Sequence, residues 1–173
     1  DANGGVKSSN YVLVGTALNC GGGRSPWGWL SCEEAFAGTH GYTFLCDPEA
    51  SSVQMPRRIP SYGKFVHETA VVDPATRIAY LTEDQADSCF YRFMPKNSAD
   101  PFAGKLQAMA PRKSGKTNLD KLKTGEAIDV RWVDIANPEP AQDEVRLEAH
   151  ANGALKFNRG EGAWFEGGAV YFT

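Results

Sequence analysis

Two thiols and two carboxylates share one short stretch, "NCGGGRSPWGWLSCEE" (19–34), which opens near Cys20 and closes on Cys32, Glu33 and Glu34. A thiolate suits a softer or redox-capable transition metal and needs a nearby cation to keep its pKa down. Carboxylate oxygens suit calcium or a hard ferric ion. Further acidic residues recur where apolar runs begin or end: Glu68, Glu83, Asp84, Asp87 and Glu161. If those ends converge, their mutual repulsion at low effective dielectric is tolerable only with cations between them. Taken singly, Glu33, Glu83, Asp84 and Glu166 read as solvated turn residues. Arg159, two residues before Glu161, has the planar fork that grips two oxygens of a phosphate or carboxylate, with a surface ion pair as its other reading. His67 adjoins Glu68, but the three histidines (40, 67 and 150) include no spaced pair, which favours a structural role for it.

The elements that must position these groups read as strands almost throughout. Runs at 11–18, 27–34, 41–48, 69–74, 77–84, 89–95, 105–111, 127–135 and 169–173 are rich in β-branched and aromatic residues and bounded by turn residues. "DPATR" (73–77) and "EGGA" (166–169) predict tight hairpins. One short helix is expected within 140–153, where an acidic start leads through Val145 and Leu147 to an Asn-Gly stop. The polar segment 110–126, with lysines at 113, 116, 121 and 123, predicts a long surface excursion.

The chain also contains an imperfect copy of itself. With Glu68 placed over Glu161, "FVHETAVVDPATRIAYLTED" runs beside "FNRGEGAWFEGGAVYFT", matching Ala70 to Ala163, Tyr80 to Tyr171 and Thr82 to Thr173. The unit is a glutamate, a strand, a tight turn and a strand ending in threonine. Such strand pairs, recurring with long insertions, characterise β-propellers, whose blades run to about 40–50 residues and present one end of each inner strand to a central channel. The two copies are separated by the length of about two blades. The expected class is therefore all-β, a partial propeller over 1–173 as a single domain, incomplete at both ends.

Composition narrows the partners. With 42% hydrophobic residues the chain can bury one sizeable core, and a net charge of −3 offers neither a basic field for nucleic acid nor a cationic face for a membrane. No apolar run approaches the roughly 18 residues a spanning helix requires, and the opening "DANGGVKSSN" reads as a processed or excised start. Four cysteines without a CxxC pair argue against a zinc ribbon, leaving disulfides, a metal thiolate or small buried apolar roles open. "GGGR" lacks the lysine of a phosphate-cradling loop, and no serine–histidine–aspartate set is recognisable.

Together, "NCGGGRSPWGWLSCEE", "FVHETAVVDPATRIAYLTEDQAD…FYRFMP" and "FNRGEGAWFEGGAVYFT" closely resemble the PhoX-type alkaline phosphatases, over most of the chain and least between about 100 and 155. The resemblance implies a β-propeller exported to the periplasm or secreted, hydrolysing phosphomonoesters on a cluster of ferric and calcium ions at the channel. It implies Cys20, Glu34, Glu68, Asp87 and Glu161 as metal ligands and Arg159 as the residue that grips the substrate phosphate. The glycines are expected to let the backbone come close to the site and the tryptophans to wall it. Cations and Arg159 would neutralise the phosphoryl oxygens during in-line attack, with no serine or histidine nucleophile. The alternative is a non-catalytic calcium-binding propeller or ligand-binding module, since fold does not dictate function. A fragment or split protein, its open sheet edges completed by a second chain, is compatible with either.

Overall fold

The computed structural model describes residues 3–113 and 119–173, so Lys116 of the predicted excursion lies outside the described residues. Among the described residues the chain is all-β apart from one α-helix and two short 3₁₀ turns, as its sequence predicts, and its antiparallel sheets form a partial propeller. The first sheet joins β1 (Gly23–Ser25), β2 (Gly28–Cys32), β3 (Thr43–Cys46) and β4 (Arg57–Arg58) in chain order. The second joins β5 (His67–Val72), β6 (Ala79–Glu83), β7 (Tyr91–Pro95), β8 (Gly104–Pro111) and β9 (Val130–Asp134), also in order. Helix α1 (Val145–Ala151) follows, then the hairpin of β10 (Ala163–Glu166) and β11 (Ala169–Phe172).

Meander order follows from short turns, and both predicted turns form. Asp73 closes the β5–β6 hairpin by accepting from Ala75 N–H at 2.9 Å and the Thr76 hydroxyl at 2.6 Å. Gly167 and Gly168 close the last hairpin with φ of 58° and 80°, values that side-chain-bearing residues rarely adopt. Between the two copies of the repeat stand β7, β8 and β9, which extend the sheet begun by the first copy, and α1, where the spacing had allowed about two blades.

Strand β5 is buried along its whole length because it is covered from two sides, by β1 and β2 and by β10. Leu30, Ile59, Tyr62, Phe65, Leu81, Tyr91 and Phe93 fill the core between the two larger sheets. The predicted strand at 11–18 does not form: Tyr11, Val14 and Leu18 stand exposed, and Gly15 and Leu18 have φ of 81° and 46°. β-branched residues favour a strand only where a packed face receives them, and none does here.

Candidate metal and phosphate site

Three residues from distant parts of the chain meet beside β5. One ligand atom each from Cys20, Glu34 and Glu68 lie within 4.8 Å of one another. Cys20 and Glu34 come together because the β2 ladder runs on past its end: Cys20 N–H donates to Cys32 O, and Glu34 N–H to Leu18 O, both at 3.0 Å. Side chains alternate along an extended strand, so the two adjacent glutamates part ways. Glu33, fully buried, accepts from the N–H groups of Ala17, Gly41 and Tyr42 and pairs with His40 Nδ1 at 2.7 Å. Glu34 is left facing Cys20.

Glu68 is aimed by a bulge. The β5–β6 register is regular from Ala70 to Val72 but shifts between His67 and Ala70, so Glu68 falls in the irregular step. Thr82 secures it: its hydroxyl accepts from Thr69 N–H at 3.0 Å and donates to Glu161 O. A bulge beside a site commonly serves to redirect a side chain. The glycines bring the other wall close, as expected: Gly22 N–H donates to Glu68 O at 2.9 Å, and a Cβ on Gly21 would stand 2.9 Å from that oxygen and 3.4 Å from Glu68 Oε1. His67 takes the structural role, buried and stacked on Phe65 with Nε2 3.0 Å from Gly63 O.

The electrostatics follow from anions set close together. The Cys20 thiol is pushed up to about 11, first by its hydrogen bond to Glu68, then by burial and the Glu68 charge. Glu34 is raised by burial and by its hydrogen bond to Asp84. Glu68 Oε2 is buried without a hydrogen-bond partner among the described residues. A sulfur, two carboxylates and an orphaned buried oxygen, with no cationic side chain in the group, form a donor set that fits a metal ion.

Arg159 reaches this group through Asp84, a residue read singly as a solvated turn. Its Nε lies 2.6 Å from Asp84 Oδ1 and its Nη2 donates to Asp84 Oδ2 at 2.8 Å, while Asp84 lies close enough to Glu34 to raise its carboxyl. Glu161 sits at the outer edge, its Oε1 3.7 Å from Arg159 Nη2 and its side chain half-exposed. Asp87 stands outside the group of three: its Oδ1 accepts from Arg146 Nε at 2.7 Å, which holds its carboxyl below the usual range. Asp84 was the residue missed. No local signal marks it: Asp84 and Asp87 both follow β6, and the ion pair that holds Asp87 apart is with Arg146, far along the chain.

A cleft of about 640 Å³ opens beside the group, with Gly21, Gly22, Trp29, Thr69 and Trp164 among its walls. Trp29 thus walls the neighbouring cleft rather than the group of three itself, whereas Trp27 packs edge-on against Phe102 at 5.1 Å between centroids. All four cysteines are free, and Cys32, Cys46 and Cys89 are buried as small apolar residues.

A solved structure of PhoX from Pseudomonas fluorescens, in complex with vanadate, a transition state analogue, superposes with a TM-score of 0.66 at 20% identity. The match covers 92% of this chain and 39% of that one, so the chain spans well under half the length of the protein it matches. No curated protein sequence matches. The family model described as alkaline phosphatase PhoX matches residues 5–173, and the chain accordingly belongs to the PhoX alkaline phosphatase family.

Proposed function

We propose that this chain carries part of the active site of a metal-dependent phosphomonoesterase. The observation that supports the reading best is the convergence of Cys20, Glu34 and Glu68, with Arg159 tied to the same group through Asp84. Thiolate beside carboxylate favours iron at this position, and the surrounding oxygen donors, with Glu161 at the rim, favour calcium. Asp87 is carried as a ligand by the family resemblance alone. When bound, such cations supply Lewis-acid neutralisation of phosphoryl charge and activation of water for in-line attack.

The chain's own residues do the rest. Arg159 holds phosphoryl oxygens with the part of its fork that Asp84 does not use, and the Asp84 contact orients the guanidinium before substrate arrives. Gly21 and Gly22 keep the wall low enough for Glu68 to face Cys20. The substrate's organic part has the cleft lined by Trp29 and Trp164 in reach. Among the described residues no helix is long and apolar enough to cross a membrane. We place the reaction in the periplasm or outside the cell, on the family resemblance, with further blades from outside this stretch completing the ring.

The test is elemental analysis and p-nitrophenyl phosphate turnover of the intact protein beside its Cys20→Ala variant. Iron and activity are expected to fall together. Unchanged iron in the variant would refute the assignment of Cys20, and calcium alone without turnover in the wild type would favour a binding module.

A further inference from the structure

Arg146 lies on α1, away from the proposed chemistry, yet its side chain is only 15% exposed. Its Nε donates to Asp87 Oδ1 at 2.7 Å, and its Nη1 reaches Asp143 Oδ2 and the Asp143 main-chain oxygen, each at 2.8 Å. One turn further along the helix, His150 Nε2 stands 2.8 Å from Asp87 O. Gln85 Nε2 donates to Asp143 Oδ2 at 3.2 Å. The helix side therefore grips the loop 84–89 through Gln85 and through both the side chain and the carbonyl of Asp87.

The opposite side of the same loop carries Arg159. Phe157 N–H donates to Ser88 O, Arg159 N–H to Gln85 O and Gly160 N–H to Glu83 O, at 2.9, 2.9 and 3.0 Å. The Asp84 carboxylate takes the guanidinium itself. Arg159 has φ of 55°, a left-handed conformation that a residue with a side chain keeps only when its surroundings over-determine it. Here the backbone partner of Arg159, Gln85 O, and its closest side-chain partner, Asp84, both come from this loop, with Glu161 Oε1 more distant at 3.7 Å.

We propose that Arg146 is a positioning residue for Arg159: by fixing the 84–89 loop from α1 it sets where the phosphate-holding guanidinium points. The inference rests on the reading of Arg159 given above. A helix that merely stabilised the fold would leave ligand affinity of the folded protein untouched; a positioning residue would not, because small misplacements of a binding group are costly.

The experiment compares intact wild type, Arg146→Gln, Arg159→Ala and the double variant by p-nitrophenyl phosphate kinetics, vanadate inhibition and elemental analysis. Arg146→Gln is expected to raise KM and weaken vanadate inhibition by roughly tenfold with metal content unchanged, and to add no further loss in the Arg159→Ala background. Unaltered KM and vanadate inhibition in the folded variant overturn the inference, as does an equal further loss without Arg159. If Arg146→Gln does not fold, Asp143→Asn loosens the same contact and is judged by the same criteria. A wild type that neither turns over substrate nor binds vanadate overturns the parent reading and this inference with it; normal wild-type turnover with an unaltered variant overturns this inference alone.

Discussion

Both carboxylate oxygens of Asp84 face Arg159, Oδ1 at 2.6 Å from Nε and Oδ2 at 2.8 Å from Nη2. The Nη2 contact is the hydrogen bond and the Nε–Oδ1 approach an ionic one, and together they hold the guanidinium in place. Asparagine in place of Asp84 keeps the size but loses the charge and one acceptor. Asp84→Asn is expected to raise KM for phosphomonoesters several-fold while leaving bound metal unchanged, read by steady-state kinetics with elemental analysis. Arg159→Lys keeps the charge without the fork and should show the same KM-weighted loss. Metal lost together with activity in Asp84→Asn would make Asp84 a ligand.

The closeness of Gly21 and Gly22 to neighbouring backbone yields two separable expectations. A Cβ on Gly22 would lie 2.2 Å from Leu30 O, at a position whose φ is 67°. Gly22→Ala should destabilise the fold by about 1–3 kcal/mol, measured by urea unfolding. A Cβ on Gly21 would press on Thr69 Oγ1 and on Glu68 itself. Gly21→Ala should therefore weaken metal retention on dialysis more than it lowers stability, and a wild-type metal content in that variant would count against Glu68 as a ligand.

Glu83 gives the pH dependence. It is fully buried, accepts from Tyr91 O–H at 2.8 Å and Cys89 N–H at 3.1 Å through Oε2, and its Oε1 has no partner among the described residues. Burial, aided by the Asp143 charge, pushes its carboxyl up to about 8 against the opposing pull of Tyr91, Cys89 and Arg146. A folded-state value above the unfolded one means the fold holds a proton that the unfolded chain releases. Stability should fall as pH rises from the ordinary glutamate range to about 8, by up to about 1.4 kcal/mol per pH unit. Glu83→Gln should flatten this part of the profile and be the more stable protein at pH above 8. Parallel unfolding profiles for the two proteins between pH 5 and 9 would sink the expectation.

Which features the sequence makes legible depends on how local their causes are. The hairpins at Asp73 and at Gly167–Gly168 are visible because turn chemistry is confined to a few adjacent residues. The pairing of Glu68 with Glu161 is visible because both copies of the repeat carry it, although only Glu68 joins the group of three. Strands β1 and β4, three and two residues long, are too short for any periodicity to register. The choice between Asp84 and Asp87 was hidden for a different reason. Both follow the β6 strand, and what draws Asp87 away is Arg146, 59 residues further along the chain. Long-range pairing of that kind leaves no mark in local spacing.

The adjacent glutamates Glu33 and Glu34 offer the cleanest separation of fold from chemistry. Glu33 is 0% exposed, and its two oxygens satisfy the N–H groups of Ala17, Gly41 and Tyr42, so it staples the 15–17 segment and the loop before β3 to the end of β2. Its removal strands several donors that water cannot easily reach, each costing about 1–3 kcal/mol. Glu33→Ala should therefore lower unfolding free energy by on the order of 3 kcal/mol or more. Glu34, one residue on and facing the other way, contributes no such bonds to the backbone among the described residues and stands with Cys20 and Glu68. Glu34→Ala should leave the urea midpoint of the metal-free protein near wild type, because removing one of several crowded carboxylates relieves repulsion. It should nevertheless strip bound metal and turnover. The reverse pattern, with Glu33→Ala losing metal at unchanged stability, would mean that the alternation at the end of β2 runs the other way and that the site is built around Glu33.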